Sequence, residues 1–197
     1  MDFGVAKTLL AECADQLDDL GVPFFLSHGT ALGAYRDGGF TPNEDDIDIG
    51  FLAEHFVPNA HRIAAALTWR GYESTTLVRP FERCWAIKAR KHRIGIDLVS
   101  FVRWQDQVHG DNGRIVPSTL ADFYGYYPSP MFEQTKKIEL FGHIYDIPSP
   151  IEDYLELEYG AGWKTPSSLH AYTTFSQTRI DGFSSSRCVP HDLLNRI

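Results

Sequence analysis

Cysteine is scarce in this chain. Cys13, Cys84 and Cys188 are too few and too scattered for a disulfide framework or a zinc cluster. Positive charge is also in short supply, with 18 Lys and Arg against 26 Asp and Glu and a formal net charge of −8. That balance argues against nonspecific binding to DNA or RNA, which needs a basic surface. No apolar run approaches the roughly 20 residues of a membrane-spanning helix. The N-terminal MDFGVAKTLLAECADQL carries acids inside its apolar stretch and has no signal-peptide core, so the expected location is cytoplasmic. Internal repeats and low-complexity tracts are absent too. What remains is 43% hydrophobic, 13% aromatic and 22% charged, the composition of a soluble globular protein. At 197 residues it can bury a core of its own as a single domain.

Periodicity supplies the outline. Val5, Leu9, Cys13, Leu17 and Leu20 recur at three- and four-residue steps, predicting an amphipathic helix over about 4–20 that stops at Gly21. Val22 to Leu26 reads as a short strand delivering the chain to His28-Gly29-Thr30, and 30–36 as a short helix broken by Gly38, Gly39 and Pro42. A strand is expected over 46–52 and a helix over about 58–70, with Ile63 and Leu67 inward and Gly71 as its stop. Strand character follows at 72–78, 84–90 and 94–102, turn chemistry around Gly110 to Gly113, and shorter strands at 138–141 and 143–147. Ser149-Pro150-Ile151-Glu152 reads as a capping box opening a helix to about Tyr159, closed by Gly160. Residues 1–166 are expected to form the folded domain, with 167–197 a Ser/Thr/Gly-rich tail that packs loosely on it or orders with a partner.

One stretch carries most of the chemistry: GTALGAYRDGGFTPNEDDIDIG, residues 29–50. Residues two apart on a strand share a face, so Asp46 and Asp48 project together while Ile47 and Ile49 face a core. Two adjacent carboxylates there repel each other unless a cation sits between them. A divalent metal site for phosphate chemistry follows, with Mg²⁺ or Mn²⁺ as the ion. Such a site draws oxygens from more than one element. Asp97, the acid of IGIDLVSFV, is the candidate third ligand, or the general base for an attacking hydroxyl; the alternative is pairing with Lys88, Arg90 or Arg93. Gly29 and Thr30 offer backbone amides and a hydroxyl as a phosphate cradle. Arg36 either neutralises phosphate charge or pairs with Asp37, Glu44 or Asp45. Lys88 either reaches the phosphates or is solvated. Glu44 is a possible outer-shell group and Asp45 has no assigned role. His28 would be a packed histidine or a donor to substrate. Trp85, Trp104, Tyr124, Tyr126 and Tyr127 would be core aromatics, or a platform for a base or sugar.

These residues resemble the LicD/fukutin-related family of the nucleotidyltransferase (DNA polymerase beta-like) superfamily. The match runs from GTALGAYRDGGFTPNEDDIDIGF, against a family pattern of roughly GT-LLGA-x-RH-x-GFIPWDDDIDIG, through IDLVSF to FGHIYDIPSPIEDYLELEYGAGWKTP, in order over about residues 22–166. It departs at Asn43 (the family's Trp), at Glu44 (the family's first Asp) and at Asp37 (the family's His). The resemblance implies an α+β fold, a nucleotidyltransferase-like mixed β-sheet with flanking helices. It also implies a chain holding the catalytic module without the anchor or partner domain of fukutin-type members.

Its implied activity is metal-dependent transfer of a phospho-alcohol, phosphocholine or ribitol phosphate, from a CDP-activated donor to a glycan or glycolipid hydroxyl, releasing CMP. Asp46, Asp48 and Asp97 would be catalytic and metal-binding, and Gly29, Thr30, Arg36 and Lys88 would hold phosphate. The alternatives are transfer of NMP from an NTP to a small molecule or protein, and a binding module without turnover.

Overall fold

The structure is a computed structural model that describes residues 1–42, 44–78, 86–104, 114–117 and 127–166. Expectations for Cys84, Trp85, the turn at 110–113, Tyr124, Tyr126, Cys188 and the tail 167–197 lie outside the described residues.

The first helix, α1 (Phe3–Asp19), forms for the reasons its sequence suggests. Asp2 caps it, its Oδ1 accepting from the amides of Gly4 (2.9 Å) and Val5 (3.1 Å). Ala6, Leu9, Leu10, Cys13 and Leu17 make its buried stripe. Gly21, at φ 67°, turns the chain out of the helix. Burial, reinforced by Glu12, pushes the Cys13 thiol up to about 12, which keeps it an inert core residue.

Only Phe25–Leu26 (β1) of the expected 22–26 segment pairs as strand. The next helix, α2 (His28–Arg36), begins two residues earlier than expected. Then come β2 (Asp46–Leu52), two short turns at α3 (Ala53–Phe56) and a 3₁₀ segment Val57–Asn59, and α4 (Ala60–Trp69). Four strands follow: β3 (Ser74–Val78), β4 (Ala86–Lys91), β5 (Ile94–Trp104) and β6 (Arg114–Pro117). The described residues close with β7 (Tyr127–Pro128), α5 (Pro130–Glu133), the hairpin β8 (Lys136–Leu140) and β9 (His143–Ile147), and α6 (Ile151–Tyr159).

Among the described residues the main sheet has seven strands in the order β1-β2-β5-β4-β3, with β6 continuing along the far half of β5 and β7 pairing β6. It is mixed, because β2 and β5 run parallel while the other pairs are antiparallel. The expected α+β architecture is therefore present. Alternation divides the sheet into two faces. Ile47, Ile49 and Phe51 of β2 lie with Ile96 and Leu98 of β5 and Ile87 of β4, all fully buried, in one core with the stripes of α1 and α4. The opposite face is polar at one end, with Asp46, Asp48, Asp97 and Lys88. At its other end Phe25, Phe101, Phe132, Tyr127 and Tyr154 stack with ring centroids 5.1–6.1 Å apart. Tyr127 thus belongs to the core rather than to a stacking platform.

The capping box at α6 does not form. Pro150 occupies the N-cap position and no side chain caps the helix. Ser149 is committed elsewhere, its amide donating to the Met131 carbonyl (2.8 Å), and Glu152 accepts instead from the Tyr35 hydroxyl (3.1 Å). A proline at N-cap has no side-chain acceptor to offer, so the helix start is held by tertiary contacts. Among the described residues no helix is long and apolar enough to cross a membrane.

Candidate active site

The register of three strands assembles the polar face. Asp48 on β2 lies opposite Asp97 on β5, and Asp97 lies opposite Lys88 on β4. Registered neighbours share a face of the sheet, so these three side chains form a row across it. Lys88 Nζ donates to Asp97 Oδ2 at 2.6 Å. That bond raises the Lys88 pKa and holds the ammonium charged.

The tightest group of acids is Glu44, Asp46 and Asp48. One carboxylate oxygen from each lies within 4.8 Å of the others, and all three residues are partly buried. Asp97 stands outside this trio, tied through Oδ2 to Lys88, so the pairing alternative for Asp97 is realised. Glu44, by contrast, sits closer than an outer-shell position. It reaches the pair from the loop ahead of β2, because the strand itself begins only at Asp46. Burial, then the Asp97 and Asp45 charges, raise the Asp46 pKa against the pull of Lys88. For Asp48 burial dominates, His28 opposes it, and the neighbouring acids Asp46, Glu44 and Asp97 add to it; the result is about 8. Three hard oxygen donors crowded this closely could hold a divalent cation, which would relieve the repulsion.

The N-terminus of α2 braces this group. The Gly29 amide donates to Asp48 Oδ2 (3.1 Å), and the Asp48 amide donates to the Thr30 hydroxyl oxygen (2.8 Å). Gly29 has a second reason to be glycine: a Cβ built there would lie 2.3 Å from the Glu44 carboxylate. The Gly-Thr pair therefore positions Asp48, and Gly29 leaves room for Glu44, in addition to any role toward phosphate.

Immediately before it, His28 is more than packed. Its backbone is at φ 41°, a conformation costly for a non-glycine residue, and is held by outside contacts. The His28 amide donates to the Tyr154 hydroxyl (3.0 Å), and Nδ1 lies 2.6 Å from Glu158 Oε1. The Tyr127 hydroxyl donates to the other Glu158 oxygen. The imidazole stacks on Phe101, with ring planes 24° apart and centroids at 5.7 Å. Burial works against protonation, but Glu158 overrides it and lifts the His28 pKa to about 9. A part-buried imidazolium–carboxylate pair, with Glu158 its buried member, thus stands behind the acid cluster. The sequence carried a sign of it: Ile151, Tyr154, Leu155 and Glu158 fall at helical spacing, and all four are buried. A glutamate on an apolar stripe must have a partner.

Arg36 is drawn away from the acids. Its Nε and Nη2 hold both oxygens of Asp37 (2.9 and 2.8 Å), and Nη1 donates to the Trp163 carbonyl (3.0 Å). Its salt-bridge reading is the one the structure displays.

Residues 21–149 match the model of the LicD/FKTN/FKRP nucleotidyltransferase domain, well over half of the chain. The chain belongs to the LicD family. Among curated relatives, this LicD chain is 31% identical over 162 residues to "Ribitol-5-phosphate transferase FKTN" of Mus musculus, covering 82% of the chain and 33% of the mouse protein. It is 28% identical over 187 residues to an uncharacterised protein of Caenorhabditis elegans, covering 91% of the chain and 48% of that protein. The LicD chain thus spans about a third of the length of the FKTN relatives it matches. Among solved structures, the antibiotic-resistance factor ANT(2'')-Ia in solution superposes with a TM-score of 0.51 at 16% identity, over 89% of this chain and 82% of that one, a likeness of fold. The LicD nucleotidyltransferase fold expected from the motif is the one present.

Proposed function

We propose that the chain is a metal-dependent transferase module that moves a phosphorylated alcohol, of the ribitol-phosphate or phosphocholine kind, from a CDP-activated donor to a glycan or glycolipid hydroxyl. The observation that carries this reading is the carboxylate trio Glu44, Asp46 and Asp48 at the mouth of a LicD-type sheet, supported by the 31% identity to a ribitol-5-phosphate transferase.

Glu44, Asp46 and Asp48 would hold Mg²⁺ or Mn²⁺, which when bound neutralises diphosphate charge and polarises the phosphorus–oxygen bonds. The chain's own residues do the rest. Gly29 and Thr30 fix Asp48, and the Thr30 hydroxyl, which accepts from the Asp48 amide, would donate to the donor's oxygens. Lys88 holds Asp97 in place to orient the acceptor hydroxyl and take its proton. The acceptor oxygen bonds to the outer phosphorus of the donor, the bridging phosphorus–oxygen bond breaks, and CMP leaves with the electron pair. His28, charged through Glu158, keeps a positive group behind the acids.

Incubation with labelled CDP-ribitol, CDP-choline and NTPs tests the reading. CMP release with label passing to a glycan acceptor is the expected result. Incorporation from ATP or CTP with none from a CDP-alcohol would replace it with nucleotidyl transfer.

A further inference from the structure

A second row crosses the sheet beside the first. Asp46 on β2 registers with Gly95 on β5, and Gly95 registers with Arg90 on β4. Row one carries three side chains; row two has none at its centre. The missing side chain leaves a notch between a cluster acid and an arginine, and a Cβ at Gly95 would already press on Asp46 Cβ at 3.3 Å. The notch opens into a cavity of about 380 Å³ lined by Asp45, Asp46, Lys88, Arg90, Arg93 and Asp97.

The charges on its walls are unevenly used. Lys88 is neutralised by Asp97 at 2.6 Å. Among the described residues Arg90 makes only a long side-chain bond, from Nη2 to the Arg93 carbonyl (3.4 Å), and neither guanidinium has a carboxylate partner. The turn 92–93 that joins β4 to β5 is held in left-handed conformation at His92 (φ 51°) and Arg93 (φ 69°), which brings Arg93 to the same rim as Arg90. Three acids and three cations line the cavity, so it is close to neutral as it stands. A divalent cation at the carboxylate trio would turn that balance positive at the notch, on the side where two planar, bidentate donors are available.

We propose that Arg90 and Arg93 form an anion subsite that binds a phosphate group of the substrate, across Asp46 from the α2 cradle. The assignment rests on the transferase reading above and adds to it a second set of phosphate donors that no part of residues 29–50 supplies. The phosphate has two chemical sources: the donor's diphosphate, or a phosphorylated acceptor.

The test is calorimetric titration of the intact protein with inorganic pyrophosphate and with inorganic phosphate in the presence of Mg²⁺, using wild type, R90A/R93A and R90K/R93K. The expected result is at least a tenfold loss of pyrophosphate affinity in the alanine pair. Partial recovery is expected in the lysine pair, with Mn²⁺ affinity within about twofold of wild type in both. Wild type that binds neither anion, or an alanine pair that binds pyrophosphate like wild type, overturns the subsite. Steady-state kinetics then separate the sources: a raised KM for the CDP-alcohol assigns the arginines to the donor, and a raised KM for the acceptor assigns them to an anionic acceptor. A wild-type protein that turns over no CDP-alcohol but shows the arginine-dependent pyrophosphate binding would sink the transferase reading and leave the subsite standing.

Discussion

His28 Nδ1 and Glu158 Oε1 lie 2.6 Å apart although 130 residues separate them in the chain. The pair joins the N-terminus of α2 to the last turn of α6, and its charge depends on pH. The folded-state pKa of His28 is lifted to about 9 from an ordinary 6.5, so below about pH 6.5 the stabilisation is fully present and it drains away as pH rises toward 9. A shift of that size corresponds to roughly 3 kcal/mol. Urea unfolding of chelator-treated protein between pH 6 and 9.5 should therefore show stability falling across this window, with the Asp48 carboxyl, lifted to about 8, adding its own fall below that pH. Glu158→Gln should make the slope shallower, most clearly above about pH 8. An unchanged slope in the variant would remove the pair as its source.

Asp48→Asn should separate metal binding from folding. Above about pH 8, where Asp48 is charged, it removes one charge from a crowded trio while keeping an oxygen to accept the Gly29 amide. Without divalent cations the variant should melt no lower than wild type, and higher if repulsion dominates. The rise in Tm that Mn²⁺ gives wild type should vanish. A variant still stabilised by Mn²⁺ to the wild-type extent would show that the cation binds elsewhere.

Two glycines make a paired test. Gly29→Ala would place a methyl 2.3 Å from the Glu44 carboxylate, and Gly50→Ala would place one 2.3 Å from the Phe25 ring. Gly50→Ala should cost about 1–3 kcal/mol by overpacking a buried ring, and Gly29→Ala less, because the Glu44 carboxylate is the far end of a flexible side chain and can swing aside. Only Gly29→Ala should also weaken Mn²⁺ affinity, by about tenfold or more, since it displaces a ligand rather than a core ring. Equal metal affinities in the two variants would detach Glu44 from the metal.

Arg36→Ala should behave as a structural change. Its guanidinium is spent on Asp37 and on the Trp163 carbonyl, tying α2 to the segment after α6. Loss of those charge-assisted bonds should lower stability by about 1–3 kcal/mol. Pyrophosphate and Mn²⁺ affinities should stay near wild type; a tenfold fall in pyrophosphate binding would return Arg36 to the phosphates.

The elements built on local periodicity were legible in the sequence: α1 from its stripe, β2 from its alternation, α6 from its spacing. So was the pairing of Asp46 with Asp48, since two residues on one strand need no knowledge of the fold. Relations that cross the sheet were harder. That Asp97 would meet Lys88, and that Glu44 would turn in to the trio from a loop, depend on strand register and on the path of residues 37–45. His28 was the least readable, because its partner arrives from the far end of the chain. The Ser149 to Glu152 capping box failed for a related reason, its groups being claimed by Met131 and Tyr35 from other elements.

The brace between α2 and α6 also bears on how the protein comes into being. A chain emerging from the ribosome exposes the acids of β2 long before Tyr154 and Glu158 are made, and β2 cannot find its parallel neighbour until Asp97 has followed. His28 has no reason to hold its unfavourable backbone angle until then. A partly synthesised chain would therefore carry the acidic motif without the brace behind it, and His28 is fixed only when α6 docks.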